Sequence, residues 1–538
     1  MTSAHTPTPN TRPNIVVILV DDMGYSDLGC YGSEINTPNL NGLAQEGVRF
    51  TQMYNCARCC PTRASLLTGL YPHQAGVGHM VGNHGTRAYQ GYLRDDCVTL
   101  AEVLRDAGYR TLMSGKWHVG GGYTANRPET WSPGEADHPT PRQRGFDRHY
   151  GMLGGGGSYF VPPYMIDDDM VVHPGGGDYY LTDDIAEHAA EMIRDAADEE
   201  RPFFLYTAFT APHWPLHAMP EDIAPYEGLY RDGWDALRTA RHEELKGIKV
   251  LDEKWDISPR DAHAPPWADV TERDWEDLRM AVYAAQVDRM DQGVGRVLDA
   301  LRETGAYENT LVVFLSDNGG CAEFLAEETN KAEPFRYNIP TFDGRPMRIG
   351  NTPAIRPGPD DTFQSYDLPW ANASNAPFRL FKHWVHEGGI STPMIVSWPA
   401  GREGATDGGG RGHIDHAVCH VIDIMPTCLE AAGATPPTEN AAGPVTPIEG
   451  ESFMAAVRGE AWRRDRDVYW EHEGNCAVRD GEWKLVRKHP GDWELYNMAQ
   501  DRTELTDLAA RNTPTRDRLI RAYEEWAARC EVLPWPLG

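Results

Sequence analysis

The chain is expected to adopt an α/β fold, in which a large, doubly wound and mostly parallel sheet domain is followed by a smaller C-terminal antiparallel sheet with one helix. Three observations predict it. The segments 14–20, 203–209 and 310–315 are nearly continuous apolar runs, the pattern of strands buried on both faces. Stretches of helical period separate them, which is the alternation of a parallel α/β sheet. Beyond about residue 460 the texture changes to short strands divided by turns.

The elements follow in order. After the first strand, which ends in Asp21-Asp22, the pattern predicts a helix over 37–48 and a second one starting near Cys59. Helical period over 98–107 leads into a short strand at 109–113, and 182–198 is helical again before the 203–209 strand. A long helix over 273–304 precedes the 310–315 strand, which ends at Asp317. A strand at 394–398 and a helix at 421–432 complete the large domain. Short strands at 468–470, 475–479, 483–486 and 494–496 and a helix over 514–529 form the small sheet and its cover. The expected division is a disordered arm over 1–12, the large domain over 13–460 and the C-terminal subdomain over 461–538. Two segments, 153–180 and 321–377, carry no periodic pattern. Loops of this length are functional or disordered. They either line the mouth of a pocket with Tyr159, Phe160, Tyr164, Phe363 and Tyr366 or are plain surface loops.

At 538 residues, 41% hydrophobic and 24% charged, the composition is that of a globular protein. No run of about 20 apolar residues is present, so no membrane span is expected. Fifty Lys and Arg against 80 Asp and Glu give a net charge of −30, which argues against nucleic acid and anionic membranes as partners. An anionic substrate would be repelled at long range, so its pocket must supply its own positive charge. The ten cysteines show neither CxxC pairs suited to zinc nor a disulfide-dense spacing, and reduced thiols in a cytoplasmic protein are expected. The N-terminal residues have neither an apolar core nor a basic leader. A trimmed, periplasmic mature form would look the same.

The run Cys59-Cys60-Pro61-Thr62-Arg63-Ala64-Ser65-Leu66-Leu67-Thr68-Gly69 is the most specific signal in the chain. Pro61 suits the first turn of a helix, and Gly69 can stop it in a left-handed cap. Cys59 then stands just ahead of a helix N-terminus, where free N–H groups favour an anion, and Arg63 can point back toward the same spot. Elsewhere, Asp21-Asp22 and Asp317-Asn318 end two strands. Oxygen-bearing groups converging there suit a hard divalent cation. Lys116 and His118, two apart in an extended segment, share a face. His213 follows the 203–209 strand, and Lys382 opens Lys382-His383-Trp384-Val385-His386-Glu387-Gly388-Gly389.

The Cys59 run resembles the signature of the type I sulfatases, C-x-P-[ST]-R with a helix ending in T-G. Gly115-Lys116-Trp117-His118-Val119-Gly120 resembles the family's G-K-W-H-L-G, departing only at Val119, and the Lys382 run resembles K-x-x-x-x-E-G-G. Only Cys59 has the C-x-P-x-R spacing; Cys60 and Cys56 do not. The resemblance implies a sulfuric ester hydrolase of arylsulfatase type within the alkaline phosphatase superfamily. A separate maturation enzyme would oxidise Cys59 to formylglycine, whose hydrate attacks sulfur and passes through a covalent hemisulfate. One Ca2+, or Mg2+ in its place, would be held by Asp21, Asp22, Asp317, Asn318 and the modified Cys59. Arg63, Lys116 and Lys382 would bind the nucleophile or the sulfate. Asp317 would act as base for the attacking hydroxyl, His213 as acid to the leaving oxygen, and His118 as base in release of sulfate.

The substrate implied is a small sulfate ester, scavenged for sulfur. Two other readings stay open. A phosphonate or phosphate ester hydrolase could use the same formylglycine, because the esters are nearly isosteric. A non-catalytic binder of sulfated ligands would keep Cys59 as a thiol, but binding alone needs no proton-transfer set. Asn318, where two-zinc relatives carry His, disfavours the two-metal branch, because zinc prefers nitrogen or sulfur.

Overall fold

Eight strands carry the sheet as far as residue 316: β1 (Asn14–Val20), β2 (Val48–Tyr54), β3 (Arg110–Gly115), β4 (Arg148–Met152), β5 (Met165–Asp167), β6 (Met170–Val171), β7 (Phe203–Ala208) and β8 (Thr310–Ser316). The Ser391–Ser397 and His413–His420 strands complete it. The order across the sheet is His413–His420, β2, Ser391–Ser397, β8, β1, β7, β3, β4, β5, β6. The structure is a computed structural model that describes residues 12–327, 335–402 and 412–537. The arm expected over 1–12 lies, apart from residue 12, outside the described residues.

β1 is the spine. It pairs in parallel with β7 on one side and β8 on the other, and Ile15 to Val20 are fully buried. Each such side chain contributes roughly 1.5–3 kcal/mol on leaving water. β3 pairs in parallel with β7, and β4 with β3. One strand breaks the pattern: Ser391–Ser397 runs antiparallel to both β8 and β2. β8 and β2 therefore point the same way, and the antiparallel strand starts at the edge where its neighbours end.

Helices cover both faces. The Leu181–Ala197 helix packs on the Arg273–Glu303 helix, which also meets α1 (Pro38–Glu46). α2 (Cys59–Thr68) packs with the Leu100–Asp106 and Ile424–Ala432 helices. The doubly wound expectation holds. β2 was not expected, because Arg49 and Gln52 interrupt its apolar run; both are half-buried. The segment 153–180 contains the short β5–β6 hairpin at the sheet edge.

The C-terminal strands Val468–His472, Asn475–Asp480, Trp483–Arg487 and Trp493–Asn497 form an antiparallel meander in sequence order. The Thr513–Arg529 helix covers it. Its apolar cluster is shared with the large sheet at Tyr54 of β2 and with segments beside that sheet at Tyr71, Val385 and Ile390. Among the described residues no helix is long and apolar enough to cross a membrane.

Candidate active site

Four parallel neighbours in the sheet deliver the predicted residues to one edge. Asp21 and Asp22 leave β1, Lys116 and His118 leave β3, His213 lies beyond β7, and Asp317 and Asn318 leave β8. Cys59 opens α2 beyond the carboxyl end of β2, and Lys382 precedes the antiparallel Ser391–Ser397 strand. Ligand sites of open α/β sheets gather at this edge. The structure brings all ten predicted residues to it.

Cys59 is the first residue of α2, with Arg58 as N-cap, rather than standing ahead of the helix. Gly69 closes α2 in the left-handed conformation at φ 66°, as its sequence position predicts. The Thr62 hydroxyl accepts a hydrogen bond from the Cys56 amide at 2.9 Å, which ties the lead-in to the helix. Arg63, fully buried, donates through Nη2 to Asp317 Oδ2 at 2.9 Å and through Nη1 to the Lys116 carbonyl at 3.1 Å. The same Nη2 lies 3.3 Å from Asp21 Oδ2, which also receives Lys116 Nζ.

Lys382 Nζ donates to Asp22 Oδ2 at 2.8 Å, and His213 Nε2 faces that oxygen at 3.5 Å. Asn318 Nδ2 donates to Asp22 Oδ1 at 2.6 Å. The Asp22 amide reaches Asp317 Oδ1 at 3.1 Å. Asp22 and His118 both hold positive φ, 67° and 56°. The expectation that Lys116 and His118 meet by strand alternation is therefore corrected. The chain turns at His118, and the two converge on Cys59 from a bent backbone.

Burial sets the electrostatics. Burial raises the Asp21 carboxyl, but the charges of Lys116, His213 and Arg63 outweigh it and hold it below the ordinary range. Burial and then the Asp21 charge push Asp317 well above that range. The Cys60 thiol's hydrogen bond, with the charge of Lys116, holds Cys59 well below an ordinary thiol against burial. Burial presses His118 down to about 4, so it is a neutral imidazole able to take a proton. Lys382 is disfavoured by burial as an ammonium, yet the Asp22 charge holds it well above the usual range.

The donor set fits a hard cation. Asp21 Oδ1 and Asn318 Oδ1 are buried with no hydrogen-bond partner, although the opposite atoms of both groups are engaged. Buried oxygens left this way cost free energy unless something positive meets them. Asp21, Asp22 and His213 each offer a donor atom within 4.8 Å of the others. With Asp317 close by, carboxylate and amide oxygens dominate, as Ca2+ and Mg2+ prefer.

The glycine run 154–157 turns out to be part of the site. A Cβ on Gly155 would stand 2.6 Å from His118 Nε2, and one on Gly156 would stand 3.2 Å from His213 Cε1. The backbone is thus a wall against both imidazoles. The alternative that aromatics of 153–180 and 321–377 line an open mouth is corrected for four of them. Tyr159, Tyr164, Phe363 and Tyr366 are buried, and the Tyr159 hydroxyl donates to the His213 carbonyl at 2.8 Å. Phe160 alone of the five is partly exposed. Sequence reasoning missed Arg58 and Glu323, which pair at 2.9 Å. Glu323 also accepts from Trp214 Nε1 at 2.8 Å. Burial raises its carboxyl, and Lys382 and Arg58 more than reverse that.

A family model described as Sulfatase matches residues 13–434 of the chain, and one described as N-sulphoglucosamine sulphohydrolase, C-terminal, matches residues 378–525. An uncharacterised sulfatase of Schizosaccharomyces pombe is 34% identical over 98% of this chain and 95% of its own length. An arylsulfatase of Klebsiella aerogenes is 35% identical over 82% of this chain and 92% of its own. The solved structure of Ps i-CgsB in complex with k-i-k-neocarrahexaose superposes with a TM-score of 0.66 at 25% identity, covering 96% of this chain and 93% of that one.

Proposed function

The chain belongs to the sulfatase family, and on that premise we propose that it hydrolyses small sulfate monoesters at Cys59, in the manner of an arylsulfatase. The observation that carries this reading is the meeting at one sheet edge of Cys59, three buried cationic groups and two imidazoles. The name of the Klebsiella aerogenes relative, an arylsulfatase 35% identical to this chain, supports the class of ester.

Cleavage of the ester breaks the S–O bond and leaves negative charge on the departing oxygen. Oxidised to formylglycine, Cys59 would supply, as its hydrate, an oxygen nucleophile for sulfur and a second hydroxyl for the release of sulfate. Asp21, Asp22, Asp317 and Asn318 would hold one Ca2+, or Mg2+, which would supply positive charge to the site. Arg63 braces Asp317 and Asp21, and Lys116 and Lys382 present ammonium groups to the sulfate oxygens as charge develops. Asp317 takes the proton of the attacking hydroxyl. His213 Nδ1 lies 2.6 Å from the Trp214 carbonyl, which can only accept, so Nδ1 keeps a proton and Nε2 is the atom that gives one to the leaving oxygen. His118, neutral in its buried place, takes the proton whose loss releases sulfate.

The test joins two measurements on protein made in its native host. The peptide containing Cys59 should show the mass loss of thiol-to-aldehyde conversion. A matched aryl sulfate and aryl phosphonate should then be turned over with preference for the sulfate. An aldehyde with preference for the phosphonate would overturn the substrate class, and an unconverted thiol in fully active protein would overturn the nucleophile.

A further inference from the structure

Lys382 is followed by His383, and the two side chains serve different neighbours. The hairpin between Val468–His472 and Asn475–Asp480 turns through Glu473 and Gly474, both at positive φ (52° and 77°). Such a two-residue turn suits the twist of the hairpin, and it carries His472 and Glu473 to the loop that holds Lys382. Glu473 Oε2 lies 3.1 Å from His383 Nδ1, and Glu473 Oε1 lies 3.7 Å from His472 Nε2. A donor atom from each of the three residues falls within 4.8 Å of the other two.

His472 is fully buried, and neither of its ring nitrogens has a hydrogen-bond partner. An imidazole so placed loses its contacts with water and gains none. Burial, then the charge of Arg58, holds it well below the ordinary histidine range, so it is in the form that binds metals. His79 Nε2 lies 2.9 Å from Glu473 Oε1, the arrangement in which an outer partner orients a ligating carboxylate. His383 and Glu473 remain partly open to solvent, at 28% and 22% side-chain exposure, which leaves a route for an ion and a further ligand.

We propose that His383 Nδ1, His472 Nε2 and a carboxylate oxygen of Glu473 form a second metal site, for a divalent ion of the Zn2+ class, with His79 as a positioning residue. Two imidazoles and one carboxylate are a nitrogen-rich set that suits zinc and its neighbours over calcium. The site is separate from the oxygen-rich group at Asp21 and Asp22. It has a mechanical consequence. The His383 amide donates to the Ala57 carbonyl at 2.8 Å, two residues before Cys59. A metal here pins the tip of the C-terminal sheet to both the Lys382 loop and the lead-in to α2.

The test uses the tag-free full chain, stripped with chelator, dialysed and refilled with excess Ca2+. Zn2+ is then titrated against a chromophoric competitor. One equivalent should bind, with affinity falling at least about tenfold in His472→Ala and in His383→Ala, and about 10–100-fold in His79→Ala. Glu473→Gln, close in shape, should weaken binding while leaving the circular dichroism spectrum unchanged, which separates ligand loss from misfolding. Asp22→Asn should bind Zn2+ as the parent does. Absence of uptake, uptake unchanged in His472→Ala and Glu473→Gln, or uptake lost in Asp22→Asn instead would each overturn the proposal.

Discussion

Two of the places where the molecule buries charge are built differently. In the first, Glu387 and Glu504 of the shared seam meet Lys484 and Arg502, all fully buried. Lys484 Nζ lies 2.8 Å from both Glu387 Oε1 and Glu504 Oε1. Glu387 Oε2 accepts from the Tyr54 hydroxyl at 3.0 Å, and Glu504 Oε2 accepts from the Glu387 amide at 3.0 Å. Every carboxylate oxygen there faces a cation or a hydrogen-bond donor, Glu504 Oε1 through its ion pair with Lys484 alone. In the second, around Cys59, Asp21 Oδ1 and Asn318 Oδ1 have none. A cluster that closes on itself is a fastener between the two sheets. One that leaves oxygens bare, in the reading proposed above, is a holder for a cation.

Substitutions can break or sharpen this contrast. Cys59→Ala removes the proposed nucleophile and should lower kcat by roughly 10⁶-fold, the scale at which a covalent nucleophile is lost, with the melting temperature little changed. Replacing His213 by Gln should cost about 10²–10⁴-fold in kcat for an alkyl sulfate and much less for a nitrophenyl sulfate, because a good leaving group needs no proton. An equal loss for both esters would remove His213 from the role of acid. At the fastener, Lys484→Met strands two buried carboxylates and should cost about 3–5 kcal/mol in chemical denaturation, while KM of the folded fraction stays as it was.

Chelation distinguishes the two clusters directly. EGTA should abolish turnover reversibly and remove stability of up to about 4 kcal/mol, the value for a ligand present at a thousandfold its Kd. Added Ca2+ should restore both. The loss should be the same in Lys484→Met, if only the Cys59 cluster holds the ion. The smallest effect belongs to charge outside both clusters. Arg345, half-exposed beside Asp343 and Asp360, should tolerate Ala with no measurable change in melting temperature.

The holder was more legible in the sequence than the fastener. Asp21-Asp22 and Asp317-Asn318 are adjacent pairs at the ends of apolar runs, and Cys59, Pro61 and Arg63 stand at fixed offsets, so local chain order carries their meaning. The fastener joins Glu387 to Lys484, Arg502 and Glu504 across about a hundred residues, and no local pattern marks such a partner. The same holds for Arg58 with Glu323 and for His383 with Glu473. Strands fully inside the sheet were readable from their continuous apolar runs, whereas β2, with Arg49 and Gln52 half-buried, was not. The buried positions of Tyr159 and Phe363 depend on what packs over them, which segments without periodic pattern do not disclose.

One feature of the sheet also sets a clock. Ser391–Ser397, the antiparallel strand, is the last of the elements that flank the site, and Lys382 meets Asp22 across 360 residues of chain. Contacts so distant in sequence form late and slowly. A ribosome-bound chain that has released β1 but not yet Lys382 carries Asp22 without its lysine, so the site reaches its final balance of charge only after residue 382 has emerged.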